Sequence, residues 1–206
     1  MKIQPFRDPE LYLLNKWESA RLLEHSMTAV RDKYGQILDA ALDKLRQRYS
    51  ELDHKGIHLT DEWDLNVGIG KESWPSTYPK WPSGIWLGCL TLDHLTSEDA
   101  DTPFACVWYN PPKSAGIDLD RAVKRMLEAA KTILTKELPH RVKEEVLRSE
   151  ANIWYPLPES RHELLEMLLN NKSSAFIDCI LAHFETLAKF IPVMDEIAGG
   201  SKRKGE

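Results

Sequence analysis

The spacing of apolar residues changes from a helical period to a strand period at Trp63, and this change restricts the folds that the chain can adopt. Before it, apolar residues recur at alternating intervals of four and three, in the order Leu23, Met27, Val30, Tyr34, Ile37 and Ala41. That spacing is typical of a helix packed lengthwise against another helix. After it, every second residue is apolar, in the order Trp63, Leu65, Val67 and Ile69. Such alternation predicts a half-buried strand, so a long helix precedes a sheet.

Two further apolar runs predict the centre of that sheet. Residues 85–92 and 104–109 are apolar on both faces, so we expect Trp86 and Trp108 within them to be core residues. The acidic segment at residues 97–103 has the length of a hairpin turn. Antiparallel pairing of the two runs is therefore expected.

Helical patterns dominate the rest of the chain. Residues 160–163 form a capping-box sequence that begins one helix, and Ser174 is a candidate cap for the last one. Residues 142–147 suggest a short helical continuation, and residues 151–155 add a fourth strand. Strands followed by helices indicate an α+β domain. We therefore predict an α+β fold with an antiparallel sheet of three to four strands, packed with a long N-terminal helix and C-terminal helices.

Length and composition fit one globular domain. The chain has 206 residues, 42% of them apolar, a formal net charge of −5 and a mean hydropathy of −0.43. Because there is no linker or repeat, we predict a single domain over residues 1–198 and a flexible basic tail over residues 199–206. The sequence leaves a nucleic-acid partner open, but its acidic balance does not indicate one. Apolar runs are too short for a membrane helix, and residues 1–5 do not resemble a signal peptide, so we expect a cytoplasmic protein without a membrane partner.

The long helical stripe has two interpretations. It can pack against the later helices of its own chain, or it can form a homodimer through residues 23–41. Gly35 lies within the stripe and costs about 1 kcal/mol relative to alanine in a helix. The sequence therefore allows one bent helix or two helices, ending near Gly56.

Aromatic residues are concentrated in the strand region and its first loop. Residues 73–84, here called the aromatic-proline arm, contain three aromatic-proline steps that favour a stiff, extended segment. Exposed tryptophan and tyrosine side chains often anchor interfaces because they bury a large area with few rotors. The candidate binding residues are Trp74, Tyr78, Lys80 and Trp81. In the alternative interpretation the arm folds back over the sheet, with Trp74 and Trp81 in the core.

Metal and cofactor sites are not predicted as the main interpretation. Residues 53–64 contain histidines and carboxylates, and His54, His58 and Asp61 are an alternative metal site. The two histidines lie on either side of a glycine expected to end the helix, so they need not share a face. The three cysteines, Cys89, Cys106 and Cys179, are widely spaced among apolar neighbours and are interpreted as reduced core residues.

One segment resembles a known family. The stretch Trp81-Pro82-Ser83-Gly84-Ile85-Trp86-Leu87-Gly88 and the order of the predicted elements are similar to the accessory region that follows the nuclease core in some bacterial PD-(D/E)XK-family proteins. The carboxylate and lysine signature of that core does not occur on a buried strand here. The resemblance thus implies an accessory part without catalytic residues.

Function is predicted from the aromatic density together with this resemblance. The sequence has no nucleophile elbow, phosphate-binding loop or zinc-protease motif. We expect a non-catalytic protein-binding module or complex subunit, in a bacterial phage-defence or DNA-processing system. The alternative is a divergent metal-dependent nuclease or hydrolase that uses residues 53–64.

Overall fold

The structure is a computed structural model, and residues 53–55 and 65–66 are described in their backbone alone. The described residues are 7, 9, 12, 15–50, 53–55, 65–74, 76–77, 83–97, 101–134, 142–146, 150–170 and 172–199. The chain divides into two compact units, Met1–Gln36 and Ile37–Glu206.

A single long helix, α1, covers Trp17–Arg48. Gly35 lies inside it without ending it, so the interpretation with two separate helices is wrong. Glu18 in the first turn and Arg46 and Arg48 in the last turn complement the helix dipole. The helix ends well before Gly56, because residues 53–55 form a strand instead.

Within the described residues the sheet has six strands. Their bounds are β1 Asp53–Lys55, β2 Leu65–Gly70, β3 Gly84–Gly88, β4 Phe104–Tyr109, β5 Lys143–Val146 and β6 Ala151–Pro156. They lie in the order β1-β2-β3-β4-β6-β5, and each neighbouring pair is antiparallel. The predicted α+β class with an antiparallel sheet is confirmed, although the expected three to four strands are too few.

The two additional strands are the edges of the sheet. β1 pairs with β2 over three residues, and β5 pairs with β6. All four residues of β5 are exposed, and three of them are charged, which protects an edge against pairing with other chains. The expectation of a helical continuation at residues 142–147 is therefore wrong over β5.

Of the remaining helices, one short helix lies between β3 and β4, one lies between β4 and β5, and the last three follow β6. Their bounds are α2 Leu92–Thr96, α3 Leu119–Ile133, α4 Arg161–Leu169, α5 Ser173–Leu187 and α6 Ile191–Gly199. The capping box at the start of α4 is confirmed, since Ser160 and Glu163 each accept a hydrogen bond from the other's backbone N–H. Ser174 does not cap α5, which begins one residue earlier. Among the helices in the described part of the chain, none is long and apolar enough to cross a bilayer.

The central strands β3 and β4 are buried on both faces of the sheet. Every residue of β3 is buried, and both Trp86 and Trp108 are buried, as predicted. On one face they form a cluster with Cys106, against which Phe104 and Trp154 pack. Cys89 and Cys106 are buried, whereas Cys179 is half-buried.

Candidate functional site

The second half of α1 is amphipathic and buries one face. Leu38, Ala41, Leu42 and Leu45 are almost completely buried within the unit Ile37–Glu206. Their spacing of three, one and three residues places them on one side of a helix. The charged residues between them, Asp39, Asp43 and Lys44, are exposed. This half of the helix therefore behaves as an ordinary core-facing element.

The first half of α1 exposes three of the six apolar residues that the sequence pattern singled out. Tyr34 and Ala41 are buried and Ile37 is half-buried, so the predicted dimer surface over residues 23–41 is reduced to residues 23–30. Leu23, Met27 and Val30 are 62%, 48% and 55% exposed, and the neighbouring Trp17 is 65% exposed. Ala20, which is half-buried, forms with Leu23, Met27 and Val30 what we call the apolar stripe, which comprises residues 20, 23, 27 and 30. A rise of 1.5 Å per residue gives the stripe a length of about 15 Å. Isolated exposed hydrophobic residues are common in proteins, but a continuous stripe marks an interaction surface.

Charged residues flank the apolar stripe without interrupting it. Glu24 and Arg31 are exposed and seven residues apart, which places them on the same side of the stripe at equivalent heptad positions. Ser19 and Ser26 occupy the opposite flank. The stripe therefore has one charge of each sign along one flank and neutral residues along the other.

The structure places Trp74, the first residue of the predicted binding set, in the core. Trp74 is 3% exposed, and its Nε1 donates a hydrogen bond of 2.9 Å to Asp195 Oδ1 in α6. Lys71 Nζ donates to both oxygens of the same carboxylate, also at 2.9 Å. This placement agrees with the interpretation in which the arm folds back. Tyr78, Lys80 and Trp81 lie outside the described residues.

Asn110, directly after β4, forms hydrogen bonds with the aromatic-proline arm at Ser76, Thr77 and Ser83. Ser76 and Ser83 each donate a side-chain hydrogen bond of 3.0 Å to Asn110 Oδ1. The backbone N–H of Thr77 donates to the Asn110 carbonyl oxygen at 2.9 Å, and Asn110 N–H donates to Ser83 Oγ at 2.9 Å. Asn110 and Ser83 are buried, and hydrogen bonds of this kind offset the cost of burying polar groups.

The alternative metal site falls largely outside the described part of the chain. His58 and Asp61 are not among the described residues, and His54 is described through its backbone in β1, opposite Ile69. A metal site at His54, His58 and Asp61 therefore stays a prediction.

A different group of metal-ligand residues, missed by the sequence analysis, comes together elsewhere. Glu159, Cys179 and His183 each offer one ligand atom, and these atoms all lie within 4.8 Å of one another. His183 Nε2 lies 2.7 Å from Glu159 Oε2. Cys179 and His183 are one turn apart on α5, and that spacing was a signal in the sequence. Glu159, twenty residues upstream of Cys179, carried no such signal.

The thiol in this group is in an environment that favours its protonated form. Burial is the main cause and raises the pKa of Cys179 to about 12, and the negative charge of Glu159 and its hydrogen bond contribute in the same direction. Bringing a thiolate close to Glu159 would place two negative charges side by side. A positively charged ion between them would reverse this preference.

Comparisons with known proteins give no relatives: no family model, no curated protein and no solved structure matches the chain. The similarity of residues 81–88 to a nuclease accessory region therefore stays a prediction.

Proposed function

We propose that the protein is a protein-binding module that assembles through the apolar stripe of α1, and that the occupant of the stripe is the same helix of a second copy. One observation carries the proposal: Leu23, Met27 and Val30 are about half or more exposed along one helix face. Burying the rest of such a side chain stabilises an interface by about 1 kcal/mol. In a symmetric pair each contribution counts twice.

The spacing of the apolar stripe specifies a helix as its occupant. Residues 20, 23, 27 and 30 follow the intervals of three and four that form a seam between two helices. Each such residue inserts between side chains of the facing helix. A second copy of α1 carries the same seam at the same spacing.

The flanking charges favour an antiparallel pair. In an antiparallel arrangement, equivalent heptad positions on one flank face each other, so Glu24 of one copy lies beside Arg31 of the other. Two-fold symmetry repeats this pair of opposite charges at the other end. In a parallel pair, the same residues face Ser19 and Ser26, which offer no opposite charge. Charge complementarity thus supports an antiparallel dimer.

Co-purification of two copies with different affinity tags tests the proposal. With wild-type chains, pulling on one tag recovers the other copy, because the two stripes pair. Met27→Glu places a charge in the seam and abolishes recovery, and because Met27 is exposed the substitution leaves the fold of the single chain intact. The matched control is Ala29→Glu, which places the same charge on the opposite, exposed side of α1. Equal recovery with Met27→Glu and with wild type would overturn the proposal.

Other parts of the predicted function remain proposals. A role in a phage-defence or DNA-processing system follows from the resemblance alone, and the neighbouring genes test it. A contribution of Tyr78, Lys80 and Trp81 to partner binding is tested by Trp81→Ala in the same co-purification experiment. The alternative of a metal-dependent nuclease is tested by Mg²⁺-dependent activity that His58→Ala and Asp61→Ala abolish.

A further inference from the structure

The second unit contains a group of three side chains that the proposed function does not use. Cys179 and His183 lie one turn apart on α5, and Glu159 lies directly before the cap of α4. From their convergence we infer that Glu159, Cys179 and His183 form a binding site for Zn²⁺. The site is far from the apolar stripe in the sequence, and zinc binding there is independent of the proposed dimer.

The geometry of the three side chains is close to that of zinc coordination. Zinc binds sulfur at about 2.3 Å and nitrogen or oxygen at about 2.0–2.2 Å, so tetrahedral ligand atoms lie roughly 3.5 Å apart. The three candidate ligand atoms already lie within 4.8 Å of one another. Side-chain rotations that move the ligand atoms by about an ångström would bring the more distant pairs of atoms closer together. The same rotations would separate Glu159 Oε2 from His183 Nε2, which are 2.7 Å apart.

The backbone that carries the ligands is held firmly. On α5, Phe176, Ile180 and Phe184 are buried in the core, which fixes the rotation of the helix and the direction of Cys179 and His183. Next to Glu159, the capping box between Ser160 and Glu163 fixes the first turn of α4. Ligands on rigid elements lose little conformational entropy when a metal binds.

The donor set selects the ion. A thiolate, an imidazole and a carboxylate together suit zinc, whereas Mg²⁺ and Ca²⁺ prefer oxygen ligands. The carboxylate and the thiolate carry two negative charges, which a divalent ion neutralises. When zinc binds, the Cys179 thiol releases its proton to solvent, and no electron is transferred.

Three protein ligands fill three of the four tetrahedral positions of zinc, and the side chains around them are partly accessible to solvent. The side chains of His183 and Glu159 are 13% and 29% exposed, so the group is neither sealed nor on the open surface. Three protein ligands with one accessible position are the arrangement found where a water molecule completes the tetrahedron. The site accordingly resembles those in which zinc binds a water or a small ligand, more than a closed site of four side chains.

Metal titration of the whole chain tests the inference. The metal-free protein is expected to bind one equivalent of Zn²⁺ in isothermal titration calorimetry, and Co²⁺ in its place is expected to give a thiolate charge-transfer band. Cys179→Ser removes the band and weakens Zn²⁺ binding at least tenfold, and Glu159→Gln weakens it through loss of the carboxylate. The control is His162→Gln. His162 Nε2 lies 3.4 Å from Glu166 Oε1 in an exposed pair that includes no thiol, so this substitution should leave Zn²⁺ binding unchanged.

The results of this experiment are distinguishable from those that test the dimer. If the wild-type protein does not bind one equivalent of Zn²⁺, or forms a stoichiometric Co²⁺ complex without a thiolate band, the inference is overturned. Both results come from the wild-type chain, so they hold even if a variant fails to fold. Equal affinity of a folded Cys179→Ser variant also overturns it. Cys179→Ser leaves the recovery of a second tagged copy unchanged, so failure of the zinc site and failure of the dimer are distinguishable.

Discussion

The ring of Trp86 lies directly over Gly68 on the neighbouring strand, in the space that a side chain at Gly68 would fill. The two residues are paired in the register of β2 and β3. A Cβ atom on Gly68 would stand 2.1 Å from Trp86 Cε3, far inside the contact distance of two carbon atoms. Packing of Trp86 in the centre of the sheet therefore depends on the absence of a side chain at Gly68.

We expect Gly68→Ala to lower the free energy of unfolding by about 1–3 kcal/mol, because the added methyl group forces Trp86 or its strand to move. Urea denaturation measures this change. The control is Gly35→Ala, where a Cβ meets nothing within 4 Å. Replacing this helical glycine should stabilise the protein by about 0.5–1 kcal/mol. Wild-type stability of Gly68→Ala would show that the ring does not occupy this space.

Truncation of the core tryptophans tests their structural role. Trp86→Ala and Trp108→Ala should each cost about 3–5 kcal/mol, a large part of the 5–15 kcal/mol typical of a whole domain. Trp108→Phe should cost less, although it also removes the hydrogen bond of 2.6 Å from Nε1 to Glu150 Oε2. Thermal unfolding reports the loss. A cooperative transition at the wild-type temperature in either alanine variant would contradict burial of that ring.

The contact between Trp74 and Asp195 should stabilise the fold. Trp74→Phe removes the hydrogen bond to the carboxylate and leaves a small void, at a cost of about 1–3 kcal/mol. Asp195→Ala removes the same bond from the other side. If the two residues interact, the double variant is less destabilised than the sum of the single variants in urea denaturation. Strict additivity would count against the contact.

The sequence predicted those elements whose pattern is local. α1 and β2 have apolar periods, and β3 and β4 are continuous apolar runs, and these patterns mark a helix or a strand without knowledge of their neighbours. β1 and β5 have no such period: three residues around His54, and the run from Lys143 to Val146 with three charges, become strands because a neighbouring strand offers them hydrogen bonds. Pairing of this kind is a tertiary effect, which explains why both strands were missed.

The same distinction applies to the candidate sites. The apolar stripe was visible in the sequence because its residues lie on one helix. Its exposure was not, because the sequence does not show at which residue of α1 burial in the core begins. Trp74 was a reasonable candidate anchor by composition, and its burial follows from Asp195, which lies 121 residues away. Glu159 lies close to Cys179 and His183 because the chain turns from β6 into α4 beside α5. No local sequence pattern predicts this contact.

Charge reversal on the flank of the apolar stripe tests the antiparallel arrangement. Glu24→Arg places like charges beside residue 31 of the partner, and Arg31→Glu does so beside residue 24, so each variant alone should associate several-fold more weakly. A mixture of the two variants restores opposite charges at both ends and should associate as well as wild type at low salt. A parallel pair predicts no gain on mixing, and dissociation constants of the variants and their mixture distinguish the two.

The most direct test of the central claim is the mass of the wild-type chain in solution. Sedimentation equilibrium of the untagged protein up to about 100 μM should give a mass that rises with concentration towards twice the 23.7 kDa of one chain. The Ala29→Glu control should follow the same curve, while Met27→Glu should stay at the mass of one chain. A wild-type mass of 23.7 kDa throughout this range would contradict the account.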